Sequence, residues 1–216
     1  MPTVIRRNLP NALTLLRLVL AGGFFAALNA FRFPDTHIVW ANVSIAVFIL
    51  AAITDALDGY LARKWNVVSI FGRIMDPFCD KVLILGGFIY LAGPRFVVPE
   101  WVAAGDFFTM ATGVYPWMVA VILARELLVT GVRGVMESMG HSGAAKWPGK
   151  VKMILQSVSI PIIIFLAANC RPDEQAWARW SCYVLVYATL VVTVCSGLPY
   201  VLGVRGIVSE QRREAG

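Results

Sequence analysis

Six long apolar stretches, at about 12–31, 38–62, 72–93, 115–138, 150–170 and 180–203, leave this chain few folds to choose from. A helix needs roughly 20 apolar residues to cross a hydrocarbon core about 30 Å thick, and each stretch meets that length. A helix also satisfies its own backbone hydrogen bonds where no water can. The expectation is an all-α, polytopic membrane protein of about six transmembrane helices, forming one domain over residues 1–216. Composition agrees: 58% of residues are hydrophobic and 15% charged, against roughly 25% charged in an ordinary soluble domain. The first stretch is too long for a cleaved signal peptide and leads into further spans. Four cysteines without CxxC spacing define neither a zinc site nor a disulfide framework. Only Cys170 and Cys182 are placed to meet. Gly22-Gly23 is a candidate for close helix approach.

The basic residues are unevenly spread. Twelve of the 19 lysines and arginines, including Arg6, Arg63, Arg133, Lys150 and Lys152, fall in one set of alternate segments, and four fall in the opposite set. The bias predicts cytoplasmic termini. These residues form no single solvated patch, so nucleic acid is not an expected partner. The tryptophans fall near the ends of the spans, where an interfacial belt belongs. The segment 94–114 is the longest loop on the far side, and its apolar content places it on the membrane surface.

Acidic residues inside apolar spans need a reason, because a charge at the bilayer centre costs at least ~2.5–3.5 kcal/mol on insertion scales. Asp55 and Asp58 are i, i+3 on the second span; Asp76 and Asp80 are i, i+4 on the third. Each pair therefore shares one helix face. The short link between the spans makes them antiparallel neighbours, so both pairs address one volume. Four carboxylates there call for a hard cation, Mg²⁺ or Mn²⁺, since an all-oxygen donor set suits these ions and no His or Cys favours zinc. Ion pairs with Arg63, Arg73 and Lys81 are the ordinary structural alternative. An ion or proton pathway is another, although no matching acidic cluster occurs on the other half of the chain.

From Asp55 to Asp80 the chain reads D-x2-D-G-x2-A-R-x8-G-x3-D-x3-D, with Gly59, Ala62, Arg63 and Gly72 at the remaining fixed positions. This pattern resembles the signature of the CDP-alcohol phosphotransferase family, with every fixed position present. The resemblance implies two divalent ions held by Asp55, Asp58, Asp76 and Asp80, a CDP-linked lipid bound through its pyrophosphate, and an alcohol that displaces CMP. It makes Asp80 the general base as well as a metal ligand. It places Gly59 and Ala62 against the nucleotide and Arg63 on phosphate. Asn11-Ala-Leu-Thr14 matches the family's Asn-x-x-Thr beside the CDP-lipid, although Asn11 also suits a helix N-cap. Ser69 matches a nucleotide contact. The resemblance further implies a homodimer in the inner (plasma) membrane, with a cytoplasm-facing site.

The signature does not name the acceptor alcohol. Lys81 and Arg125 are cations within spans, and Arg133, Lys150 and Lys152 lie at span ends on the same side. Together they suit an acceptor that is itself a phosphate. The run Ala124-Arg125-Glu126, then Arg133, then Gly149-Lys150-Val-Lys152 resembles family members that use CDP-diacylglycerol and glycerol 3-phosphate and form phosphatidylglycerophosphate. Inositol phosphate suits the same basic set; serine or a phospholipid suits it less. A non-catalytic, ion-conducting membrane protein is the rival of another class.

Overall fold

The computed structural model describes residues 3–34, 36–65, 70–140 and 147–214, with side chains at 11–34, 36–60, 64–65, 75–140, 147–200 and 202–203. Its long helices are α1 (Thr3–Ala30), α2 (Ile38–Trp65), α3 (Ile70–Leu91), α5 (Pro116–Ser138), α6 (Trp147–Asn169) and α7 (Ala176–Glu214); a short α4 (Pro99–Ala103) lies between α3 and α5. The protein is an all-α membrane protein. Residues 11–30, 38–60, 147–169 and 176–200, on α1, α2, α6 and α7, are long and apolar enough to cross a bilayer by length and composition. The other two long helices, α3 and α5, have 22 and 23 residues. They carry the charges expected to form the site, among them Asp76, Asp80 and Lys81 on α3 and Arg125, Glu126 and Arg133 on α5.

Two helix ends differ from the expectation. The first helix starts at Thr3, so Asn11 lies inside α1 and does not cap it. The last helix runs on to Glu214, past the apolar stretch that ends at about 203. Apolar patterning marks where a helix enters lipid, not where its backbone hydrogen bonding stops.

Helix α1 packs on α2 and α3, α2 on α6, α3 on α5 and α6, and α7 on α5 and α6. The apolar core fills one half of this bundle. Phe24 and Leu28 of α1, Phe48 of α2, Phe88 of α3 and Ile160 and Ile163 of α6 meet there, all essentially inaccessible. Outward-facing side chains are apolar too: Val19, Val39, Leu127, Ile154 and Val184 are more than 60% exposed. Lipid is the solvent such a girdle fits. Between α6 and α7 the contact is polar, with Gln156 donating to Thr193 Oγ1 (3.1 Å) and Ser159 bonded to Thr189 (2.9 Å). Such bonds join helices where apolar side chains gain nothing over lipid.

The close helix approaches are made by glycines other than the expected pair. A Cβ at Gly22 would meet nothing, and one at Gly23 only ordinary contact. A Cβ at Gly86 would come within 2.3 Å of the Phe25 ring, and one at Gly87 within 3.0 Å of Ile160. Helix α3 is therefore the one held tightly in the bundle, which fixes the turn carrying Asp76 and Asp80. Part of the 94–114 segment is packed more deeply than expected. Phe96, Val98, Trp101, Met110, Ala111 and Val114 are buried, and the Val97–Met110 bridge closes the segment over the end of the bundle. The six buried side chains join the core, while Val102, Phe107 and Phe108 stay exposed. All four cysteines are free, Cys170 and Cys182 included.

Candidate active site

The polar half of the bundle lies at the opposite end from that core. Thr14 and Arg17 are i, i+3 on one face of α1, and each reaches a different aspartate helix. Thr14 Oγ1 donates to Asp76 Oδ1 at 2.8 Å. Arg17 places Nη1 2.6 Å from Asp55 Oδ1 and donates through Nη2 to Asp58 Oδ2. The arginine is 1% exposed and the Asp58 side chain 6%, while Asp55 is 43% exposed. Thr14 and Arg17 thereby tie the α3 and α2 aspartates to one face of α1, and Asp55 and Asp80 line one cavity. Arg17 is the residue that sequence reasoning missed. Its i, i+3 relation to Thr14 is the signal that could have found it.

A cavity of about 240 Å³ opens beside this cluster. Arg17, Asp55 and Asp80 line it together with apolar side chains, among them Phe48, Leu83, Met153, Ile154 and Val158. The lining thus combines a few charged groups with a largely apolar surface. That arrangement suits a ligand with a charged head and a hydrocarbon body.

The second cluster lies on α5, α6 and α7. Arg125 donates through Nε to the Thr193 carbonyl (3.1 Å), through Nη2 to Ser196 Oγ (2.8 Å) and through Nη1 to Glu126 Oε1 (3.0 Å). Lys152 Nζ donates to the same Glu126 oxygen at 2.6 Å. Lys81 donates to Thr130 Oγ1 at 2.9 Å, joining α3 to α5. Asp80 precedes Lys81 on α3 and lines the cavity that also holds Asp55 and Arg17. The aspartate cluster and the basic cluster are therefore neighbours, with Asp80 between them. Lys150 is exposed and Arg133 partly buried at the same end. Gly59 follows Asp58 on α2; Ser69 and the side chains of Ala62 and Arg63 lie outside the described residues.

The donor set fits a hard divalent cation. It is all carboxylate, and one guanidinium against four aspartates leaves a surplus of three negative charges. Among the described residues, no three potential ligands are drawn together tightly enough to hold one ion. The reason is visible in the contacts: Arg17 holds Asp55 and Asp58 toward α1, and Thr14 holds Asp76.

The Arg17 contacts support a stability prediction. Removing one partner of a buried ion pair typically costs about 3–5 kcal/mol, because the other charge is left unpaired. Solvent reaches Asp55, so Arg17→Gln should cost about the lower end of that range. Thermal unfolding in detergent should shift down, and added Mg²⁺ should recover part of the shift. An unchanged unfolding temperature would show that Asp58 does not depend on Arg17.

A family model described as CDP-alcohol phosphatidyltransferase matches residues 7–195. Among relatives, the CDP-diacylglycerol–glycerol-3-phosphate 3-phosphatidyltransferase of Salmonella typhimurium LT2 is 31% identical over 207 residues, covering 94% of this chain and 98% of that protein. The enzyme of the same name from Bacillus subtilis 168 is 32% identical over 191 residues, covering 85% and 90%. That from Escherichia coli K12 is 30% identical over 207 residues, covering 94% and 98%.

Proposed function

The chain belongs to the CDP-alcohol phosphatidyltransferase family, and from that premise we propose that it transfers a phosphatidyl group from CDP-diacylglycerol to glycerol 3-phosphate. The products are phosphatidylglycerophosphate and CMP. The observation that carries the choice of acceptor is the position of Asp80, which shares a cavity with Asp55 and Arg17 and directly precedes Lys81, the lysine bonded to Thr130 of α5. A base flanked by a cation-demanding site and a basic site suits a reaction joining a pyrophosphate lipid to an alcohol bearing its own phosphate. The relatives' names support the same reading.

Divalent metal use is general in this family. The finer reading is two ions, Mg²⁺ or Mn²⁺, held by Asp55, Asp58, Asp76 and Asp80, which when bound would neutralise the pyrophosphate and make its phosphorus more electrophilic. Thr14 orients Asp76 by hydrogen bonding. Asn11, Thr14, Gly59, Ala62, Arg63 and Ser69 are proposed to contact the CDP-lipid, with its hydrocarbon along Met153, Ile154 and Val158. Lys81, Arg125, Arg133, Lys150 and Lys152 are proposed to receive the acceptor phosphate. Arg125 and Lys152 do so by exchanging Glu126 for phosphate, since their donors already have partners. Asp80 takes the proton of the acceptor hydroxyl. The freed oxygen bonds to the lipid-side phosphorus, and the bond from that phosphorus to the CMP oxygen breaks with its electron pair. The same reading includes one domain over 1–216, a homodimer, and an inner-membrane orientation with termini and site in the cytoplasm.

Product analysis tests it directly. Purified protein with CDP-diacylglycerol, Mg²⁺ and separate acceptors should form phosphatidylglycerophosphate from glycerol 3-phosphate. A lipid formed instead from inositol phosphate or serine would reject the acceptor; CMP release with none of them would reject the phosphorylated acceptor altogether. Within this reading Lys81→Ala and Lys152→Ala should each raise the glycerol 3-phosphate KM. A charge-assisted hydrogen bond is worth roughly 1.5–3 kcal/mol, which corresponds to about tenfold to a hundredfold. The KM for CDP-diacylglycerol should stay within about twofold, since these lysines contact the acceptor only. Equal losses for both substrates would assign the lysines to the fold.

A further inference from the structure

A second cavity, of about 480 Å³, lies away from the aspartates, between the 104–108 turn and the first turns of α7. Along α7, Tyr183 precedes Ser196, the contact of Arg125, by 13 residues, about 20 Å at 1.5 Å per residue. The cavity therefore belongs to the other end of the bundle. Its walls are apolar: Phe107 is 87% exposed, and Trp180 and Val184 are more than 60% exposed. Its rim carries one cation, Arg179, and one anion, Asp106.

Trp101 organises both rim charges. The Arg179 guanidinium stacks over the Trp101 ring, 5.4 Å from its centroid. The Asp106 backbone N–H donates to the Trp101 carbonyl at 2.9 Å, after a turn through Gly105 at φ +76°. Trp101 is itself buried, so its ring fixes the arginine and its backbone carbonyl fixes the Asp106 backbone. Among the described residues no ion pair joins Arg179 to Asp106, and both groups line the cavity. The aromatic wall is fixed as well: Tyr183 packs edge-on against Trp180 at 6.0 Å and near Phe108 at 5.5 Å. Its ring also fills the space that a Cβ at Gly113 would need.

We propose that this cavity binds a zwitterionic phospholipid with a primary-ammonium headgroup. Arg179 takes the phosphate, Asp106 takes the ammonium, and the start of one acyl chain lies along Phe107, Trp180 and Val184. Charge complementarity selects the ligand: a cation and an anion at one rim match a headgroup carrying both signs, whereas an anionic lipid would leave Asp106 opposing it. Depth agrees, because Arg179 stands in the first turn of a helix apolar enough to span from Ala176, at the level where phosphates lie and where Trp177 and Trp180 belong. The site is separate from the proposed chemistry and does not depend on it.

Native mass spectrometry of the purified protein, titrated with phosphatidylethanolamine, phosphatidylglycerol or phosphatidylcholine, reads the proposal. Phosphatidylethanolamine should be retained best. Arg179→Ala and Asp106→Asn should each lower its retention about tenfold, the loss expected from one charge-assisted hydrogen bond, while CMP release in mixed micelles stays unchanged. Asp106→Asn alters an exposed, isosteric position, so it retains its force if Arg179→Ala disturbs the fold. Equal retention of phosphatidylglycerol with no effect of Asp106→Asn would overturn the pairing of both charges. Lipid binding unaffected by either substitution would overturn the location. A dimer lost on Phe107→Ser, with no retained lipid, would make a second copy the occupant and reject the lipid.

Discussion

In excess chelator, CMP release should fall to background, and it should return when Mg²⁺ or Mn²⁺ is restored. The argument is electrostatic. Two like unit charges 4 Å apart repel by roughly 4 kcal/mol at an effective dielectric of 20, and Arg17 offsets only one of four carboxylates. A pyrophosphate brought to the same place adds more negative charge. The two can coexist only with additional cations, and an all-oxygen donor set selects hard ones. Zn²⁺ should restore activity less well, because no imidazole or thiolate accompanies the carboxylates. Full turnover in chelator would show that Arg17 and the lysines suffice, and the metal reading would fall.

Asp80→Asn should lower turnover by about 10²–10⁴-fold, the usual contribution of a positioned general base, with the loss of an anionic metal ligand adding to it. The amide keeps the shape and its place on the cavity wall beside Asp55, so the fold should survive. The informative comparison is Asp58→Asn, which removes a carboxylate but not the proposed base. Of the two, Asp80→Asn should show the steeper loss of pH dependence in its rate. Near-normal turnover of a folded Asp80→Asn protein would remove both roles from this residue.

Hydropathy and helical spacing are local properties, and whatever depended on them could be read from the chain. The long helices fall where the apolar stretches lie. Asp55 with Asp58, and Asp76 with Asp80, share helix faces because intervals of three and four residues always do. The charges within or at the ends of α2, α3, α5 and α6 marked those helices as the ones carrying the chemistry. Partners distant in sequence were not legible. Arg17 meets Asp58 across 41 residues, Lys152 meets Glu126 across 26, and Arg125 meets Ser196 across 71. Arg125 and Lys152 looked available for a ligand, and packing gave all three cations protein partners, since a buried charge is too costly to leave unpaired. The 94–114 segment makes the same point with apolar residues. Its composition suited a membrane surface, but the end of the bundle offered Phe96 and Trp101 a buried place. Which of two apolar surroundings a side chain takes is settled by the shapes of its neighbours, and those exist only once the helices have packed.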